Sequence, residues 1–543
     1  MQYYPPWLNQ AVFYQVYPPS YYDSNADGIG DIPGLIQKLD YIKQLGCNAI
    51  WLNPVFCSSF RDGGYDITDY YTVAPRYGTN KDLRRLFREA EHRGIKVCLD
   101  LVPGHTSVDH PWFKHSSRQK KNRYTNWYIW TGSVWDNDPA GLNTVKGYAQ
   151  RDGNYITNFF YSQPALNYGF ARPSEPWQLP TSHPEVKCVR KEMENIIRFY
   201  LDMGARGLRV DMAFSLVKND PGAHHTCLFW QEVRAMLDRD YPRAAFLSEW
   251  GIPPRALKGG FHADFLLHFH SRGYTSLFRK EYPWHADVGQ PGPSFFSQEG
   301  RGNIREFLEE FMEFRNQTHP RMLMVMPSGS HDVFRIRRGR TSREVELVFA
   351  FIFTMPVIPG IYYGDEIGMR YLSELPSREG GYNRTGTRTP MQWDSSPNAG
   401  FSECSSENLY LPVDPDPHRP SVAEMEKDPS SLLNRVKKLV KLRREHPALQ
   451  ADSEFVPLYA EPYRYPLVYL RNTSGSQVLV CINPSAQPQE ACFETPSKAA
   501  IRDVNAFWPA AGGGIKLSRK GRKVQVQASS LSYAVLVIKN YNI

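Results

Sequence analysis

The sequence predicts an α/β protein: a (β/α)8 barrel with a subdomain inserted after the third strand and a C-terminal antiparallel β-sandwich. Three observations carry this. Eight short apolar runs recur between residues 11 and 362. Amphipathic helical stretches separate the first of them, in the strand–helix–strand order of parallel βαβ units. Beyond about residue 458 the text changes to alternating strands with no helix between them.

The first run is Ala11–Tyr17. Leu35, Ile36, Leu39, Ile42 and Leu45 then share one helical face, and Gly46 ends that helix. Asn48–Leu52 is the second strand. A helix over Lys81–Arg93 stops at Gly94, and Ile95–Val102 is the third strand. From Pro103 to His183 the period is lost among Trp, Tyr, Asn, Asp and Gly. A stretch that long between strand and helix points to function, so 104–182 is assigned to a substrate-shaping insert. The rhythm resumes with a helix over Glu185–Met203 and a strand over Gly207–Asp211. Runs at 244–249, 265–269, 322–326 and 357–362 bring the strands to eight, the number of a TIM barrel, formed by 1–103 and 183–457. A last helix, Leu432–Arg444, ends before His446-Pro447. Strands at 468–470, 478–482, 524–526 and 533–538 mark the sandwich, 458–543.

Of the 543 residues, 41% are hydrophobic and 22% charged, which excludes low-complexity disorder, collagen and a long coiled coil. No uninterrupted apolar run reaches the 18 residues that suggest a membrane span. The net charge of +8 is a mild excess over this length, and the one dense basic run, Arg118–Arg123, reads as a solvated face rather than a nucleic-acid site. The eight cysteines show neither CxxC nor zinc spacing; Cys47 and Cys98 sit in apolar runs and read as buried thiols. The N-terminus MQYYPPWLNQ has no secretory-signal pattern, so a cytoplasmic location is expected.

In such a barrel the chemistry stands at the C-terminal ends of the strands. Those ends carry Asp100 and His105 after strand three, Arg209 and Asp211 on strand four, Glu249 on strand five and His331-Asp332 beyond strand seven. Arg209 and Asp211 are two apart and face the same side. A carboxylate beside an arginine stays ionised, as a nucleophile must. Glu249 follows Ala-Phe-Leu-Ser, a less polar approach that raises its pKa and suits an acid. One ionised and one protonatable carboxyl are the equipment of glycoside hydrolysis. His268 and His270 lack a third ligand at useful spacing and read as core or rim; Asp365-Glu366 reads as structural support.

These segments resemble glycoside hydrolase family 13, the α-amylase superfamily, from about residue 7 onward. Asp100-Leu-Val-Pro-Gly-His105, Gly207-Leu-Arg209-Val-Asp211, Phe246-Leu-Ser-Glu249-Trp and Gly329-Ser-His331-Asp332 resemble its four conserved regions. Gln163-Pro-Ala-Leu-Asn167 and Arg388-Thr-Pro-Met-Gln-Trp393-Asp resemble motifs of the oligo-1,6-glucosidase, α-glucosidase and trehalose synthase branch. The resemblance implies Asp211 as nucleophile, Glu249 as acid/base and Asp332 as the holder of two sugar hydroxyls. His105 and His331 are implied as donors to the same ring, with Arg209 orienting Asp211 and Tyr65 stacking under the sugar. Asp66 and Arg388 resemble an ion pair closing the pocket behind a terminal glucose.

Asp23-Ser-Asn25-Ala-Asp27-Gly28-Ile29-Gly-Asp31 has oxygen donors at alternate positions and a glycine for the turn, suited to structural Ca²⁺ or, with more water, Mg²⁺. It also resembles the branch's calcium loop, with Asp23, Asn25, Asp27, the Ile29 carbonyl and Asp31 as ligands. The chain departs from the family at Gly104, where many members carry a calcium-binding Asn, and at Ala165. Met212 after the nucleophile matches neither the valine of α-1,6 nor the alanine or threonine of α-1,4 specificity.

The expected activity is retaining hydrolysis of short α-glucosides with release of glucose from the non-reducing end. Expected partners are small sugars, with no nucleic acid, no membrane and no organic cofactor, in a monomer or small homo-oligomer. A trehalose synthase-like isomerase or sucrose- or maltose-acting transglucosylase shares the same intermediate. A silent transporter-associated homologue is the non-enzymatic alternative.

Overall fold

A computed structural model of the chain describes residues 3–136, 141–267, 270–278, 293–494, 507–520 and 523–538. Eight parallel strands close into a barrel: β1 (Phe13–Val16), β2 (Ala49–Leu52), β3 (Lys96–Leu101), β4 (Gly207–Val210), β5 (Ala245–Ser248), β6 (Ala263–Phe265), β7 (Leu323–Pro327) and β8 (Ile358–Tyr362), with β8 pairing back onto β1. Phe13, Trp51, Cys98, Leu247, Phe265, Val325 and Ile358 fill the interior, so the barrel is a packed core and its chemistry is confined to the rim.

Local signals account for most boundaries. Thr79 and Asp82 form a reciprocal cap on the helix Asn80–His92. Gly46 takes φ +95°, the left-handed conformation that ends a helix at little cost. Two expectations need correction. The helix expected over 35–45 is two, Ile32–Gln37 and Leu39–Leu45, parted where Lys38 leaves helical geometry at φ −101°, ψ 5°. The sixth strand lies at Ala263–Phe265, before the 265–269 run; His268 and Phe269 are outside the described residues.

The insert holds a short helix, Pro111–Ser116, and a two-stranded ribbon, Thr144–Val145 with Tyr155–Ile156. Tyr128, Trp130 and Tyr155 are buried around Phe113 and form its core. The C-terminal sheet starts at Glu454. Its long last strand, Lys523–Ile538, pairs with Ser476–Asn483 through one half and Gln489–Glu494 through the other. Val468, Leu470, Leu479 and Cys481 pack against Phe493, Val524 and Val526, giving the expected two-layer sandwich. All eight cysteines are free. Among the described residues no helix is long and apolar enough to cross a membrane.

Candidate active site

Arg209 organises the rim. Its Nη1 donates to Asp100 Oδ1 at 2.7 Å and to Asp211 Oδ1 at 3.0 Å, while Nη2 pairs with Glu249. Glu249 Oε2 also accepts the Met212 backbone N–H at 2.9 Å. The guanidinium thus bonds Asp211, as the resemblance implied, and is shared with two further buried carboxylates. Burial and the Glu249 carboxylate push Asp211 well above its ordinary range against the pull of Arg209. Burial raises Glu249 as well, with Arg209 opposing. Like charges held this close favour one proton between the two, so the expectation that Arg209 by itself keeps Asp211 ionised is not met; the nucleophile reading needs that proton on Glu249.

Asp332 stands in the opposite electrostatic state. Burial would raise its carboxyl, but His331, Arg384 and Arg388 together hold it well below the usual carboxylate range. Arg384 Nη1 donates to its Oδ1 at 2.7 Å, Arg388 Nη2 lies 3.3 Å from the same oxygen, and His331 Nε2 is 3.3 Å from Oδ2.

Both histidines are buried and neutral in tendency. Burial lowers His105 to about 4 and takes His331 well below its ordinary value. The Gln15 and Asn53 amides approach His331 Nδ1 at 3.0 and 3.3 Å, which leaves its proton on Nε2, facing Asp332. His105 Nδ1 faces the Asn158 amide at 3.2 Å, and its Nε2 donates to the Tyr65 carbonyl at 3.1 Å. Lys218 Nζ donates to Asn158 Oδ1 at 2.9 Å and so turns that amide's nitrogen toward His105. Gly104 leaves room for this amide: a Cβ there would fall 2.6 Å from Asn158 Nδ2 and displace it. The Tyr65 ring stacks on His331 with centroids 5.2 Å apart and planes 4° apart, and its hydroxyl donates to Asp100 at 3.0 Å.

The Asp66–Arg388 ion pair is not formed. Asp66 accepts from Ser58 Oγ and the Arg61 and Asp62 backbone N–H groups, bracing its own loop. Gly63 and Gly64 take φ +54° and +100°, a reversal that presents Asp62 to the site instead. Asp62 lies 3.3 Å from Arg384 and accepts from Gln163 Nε2 at 2.8 Å. Asp62, Arg384, Asn158 and Lys218 were missed because their partners are remote in sequence. The double glycine beside Asp62 was the one legible hint.

In the 23–31 loop Asp23 accepts from the Asn25, Ala26 and Gly28 backbone N–H groups and from Ser402 Oγ; Asn25 and Asp27 accept from the N–H two residues on. Asp31 bonds Ser24 and caps the helix Ile32–Gln37 through Gly34 N–H at 2.6 Å. Among the described residues no three His, Cys, Asp or Glu side chains are grouped to hold a metal. Of the expected ligand set, the three carboxylates Asp23, Asp27 and Asp31 are thus not gathered round one point; each is engaged by hydrogen bonds of the loop. Asp365 pairs with Arg335 at 3.2 Å, and Glu366 accepts from Tyr14 and Tyr41, supporting the barrel as expected.

The alpha-amylase catalytic-domain family model matches residues 15–252 and 285–452. The chain is 31% identical over 529 residues to the trehalose synthase/amylase of Mycobacterium tuberculosis, covering 88% of this chain and 82% of that one. It is 30% identical over 550 residues to the oligo-1,6-glucosidase of Parageobacillus thermoglucosidasius, covering 88% and 90%. In fold it is similar to the isomaltulose synthase of Erwinia rhapontici, with a TM-score of 0.77 at 23% identity over 99% of this chain and 100% of that one. On this family match the chain belongs to the alpha-amylase family, glycoside hydrolase family 13.

Proposed function

We propose that this protein is a retaining α-glucoside hydrolase that releases glucose from the non-reducing end of short α-glucosides. The observation that carries the reading is one guanidinium, Arg209, bonded to both Asp211 and Glu249 while Asp332 is kept charged by a separate set of cations. Retention needs two carboxyls about 5–5.5 Å apart that share the work of nucleophile and acid. A common guanidinium suits that spacing.

Asp211 attacks the anomeric carbon as Glu249 gives its proton to the leaving oxygen, and a covalent glucosyl ester forms. As the acid loses its proton, Arg209 and the Met212 N–H receive the new carboxylate. Glu249 then takes a proton from water and the ester opens, restoring the starting configuration. Asp332, ionised throughout, stabilises the oxocarbenium-like ring at both steps. Tyr65, backed by His331, offers its ring to the sugar, and the His331 Nε2–H serves a sugar hydroxyl; the expected donor role of His105 is not met, because its Nε2–H is held by the Tyr65 carbonyl. Asp62 with Arg384 and Arg388 closes the far end of the pocket.

A second reading, transfer or isomerisation, is favoured by the depth of the pair: Asp211 and Glu249 are 8% and 6% exposed, and a dry site lets a sugar compete with water for the ester. A proton NMR time course on maltose, isomaltose, sucrose and trehalose decides between them. Early α-glucose that later mutarotates supports hydrolysis and identifies the linkage; a growing new disaccharide signal with little free glucose establishes transfer; early β-glucose overturns retention.

Calcium in the 23–31 loop is proposed on its alternate oxygen donors and on Gly28, whose φ of +89° makes the turn. A cytoplasmic location is supported by eight unpaired cysteines. A monomer or small homo-oligomer is proposed, to be measured by light scattering.

A further inference from the structure

Asp264 is a fully buried carboxyl that the chemistry above does not use. On β6 it lies between Ala263 and Phe265, which both point into the barrel core, so its own side chain is on the outer face of the wall. On β5, Ala245 and Leu247 point inward, and the same alternation sends Ser248 outward and Glu249 toward the rim. The parallel register sets Asp264 opposite Ser248. Its Oδ1 accepts from Ser248 Oγ at 2.7 Å and from the Trp250 backbone N–H at 3.0 Å. It therefore grips the residue before Glu249 and the residue after it. Glu249 is held in front by Arg209 and the Met212 N–H, so the two sets of bonds fix it from both sides of the wall.

The geometry points to Asp264 as a positioning residue for Glu249, a carboxyl behind the barrel wall that sets the aim of the acid/base through Ser248 and Trp250. This rests on Glu249 being the acid/base. Stability alone does not account for the group: burying a carboxyl is costly, and burial pushes this one up to about 7 despite its hydrogen bonds. An apolar residue of similar size in a packed wall is often neutral or stabilising. What such a residue cannot do is hold the Trp250 N–H and the Ser248 hydroxyl in place.

The test separates aim from folding by leaving group. kcat/KM is measured for the disaccharide the enzyme cleaves best and for α-glucosyl fluoride, whose departure needs little help from an acid. Rates are corrected for active fraction with a covalent glucosyl inhibitor. Asp264→Leu is expected to lose about 100-fold on the disaccharide, the scale of a 1 Å misplacement, and less than about 3-fold on the fluoride. Asp264→Asn, which keeps an acceptor, stays close to the parent on both. If Asp264→Leu does not fold, Ser248→Ala is read instead, with the same bias at about 3- to 10-fold. Equal losses on the two substrates, or none on either, overturn the assignment. Glu249→Gln is run beside it; should that variant show no leaving-group bias, the acid/base reading itself is wrong, a separate failure.

Discussion

Replacing Arg384 by Met tests the electrostatics of the site at a residue the sequence did not single out. Arg384 bonds Asp332 Oδ1 at 2.7 Å and lies 3.3 Å from Asp62, so one guanidinium ties the ionised carboxylate to the closing end of the pocket. Removing one partner of a buried, hydrogen-bonded charge pair costs about 2–5 kcal/mol. The low end applies, because Arg388 and His331 still face Asp332 and its side chain is 20% exposed. About 2 kcal/mol at 1.36 kcal/mol per decade is about 30-fold in kcat/KM. The pH profile carries a second signature. Asp332 is depressed in the folded protein, so its ionised form is favoured above the ordinary carboxylate range and lost as pH falls. Without Arg384 its pKa rises, and the acid limb of the profile moves to higher pH. The assay is kcat/KM on 4-nitrophenyl α-glucoside from pH 4 to 8, with melting curves to confirm folding. Arg384→Lys, which keeps the charge but not the fork spanning Asp332 and Asp62, should fall between Met and the parent. A folded Arg384→Met protein within 3-fold of the parent, with an unmoved acid limb, would refute the reasoning.

Asp211→Ala should keep its melting profile and lose about four to six orders of magnitude in kcat; full turnover in that variant rules out the covalent mechanism. Glu366, between Tyr14 and Tyr41, is pushed up to about 7 by burial. It binds its proton more tightly folded than unfolded, so its contribution to stability is complete below about pH 4.3 and is lost as pH rises through 7, by up to roughly 4 kcal/mol. The melting temperature of Glu366→Gln relative to the parent should therefore be higher at pH 8 than at pH 5, and a constant difference contradicts this. Calcium at about 100 times its Kd should stabilise the protein by about 2.7 kcal/mol in thermal melts. EDTA should reverse the shift and Asp27→Ala abolish it; a melt indifferent to calcium removes the ion from the loop.

The barrel was legible because its signals are local. Apolar runs of strand length, Gly46 at a helix end and the Thr79–Asp82 cap each act within a few residues, and their order along the chain admits few topologies. The rim residues Asp211, Glu249, Asp332, His105, His331 and Arg209 were legible for the same reason: strand ends must face one mouth once the barrel closes. Helix 32–45 was misread because the break at Lys38 leaves the apolar spacing on both sides intact.

The charge arithmetic of the site was not legible. Arg209 two residues from Asp211 pointed to their pairing and no further; closure of the barrel brought Asp100 and Glu249 from β3 and beyond β5 to the same guanidinium. Asp66 was the wrong partner for the arginines because a reversal at Gly63 and Gly64, rather than proximity to Tyr65, decides which carboxylate faces inward. Sequence alone determined which groups stand at the mouth, since period-2 alternation and strand order place them there. Tertiary structure decided which of them share a proton, a cation or a hydrogen bond, because such interactions fall off within a few ångströms and join residues up to hundreds of positions apart.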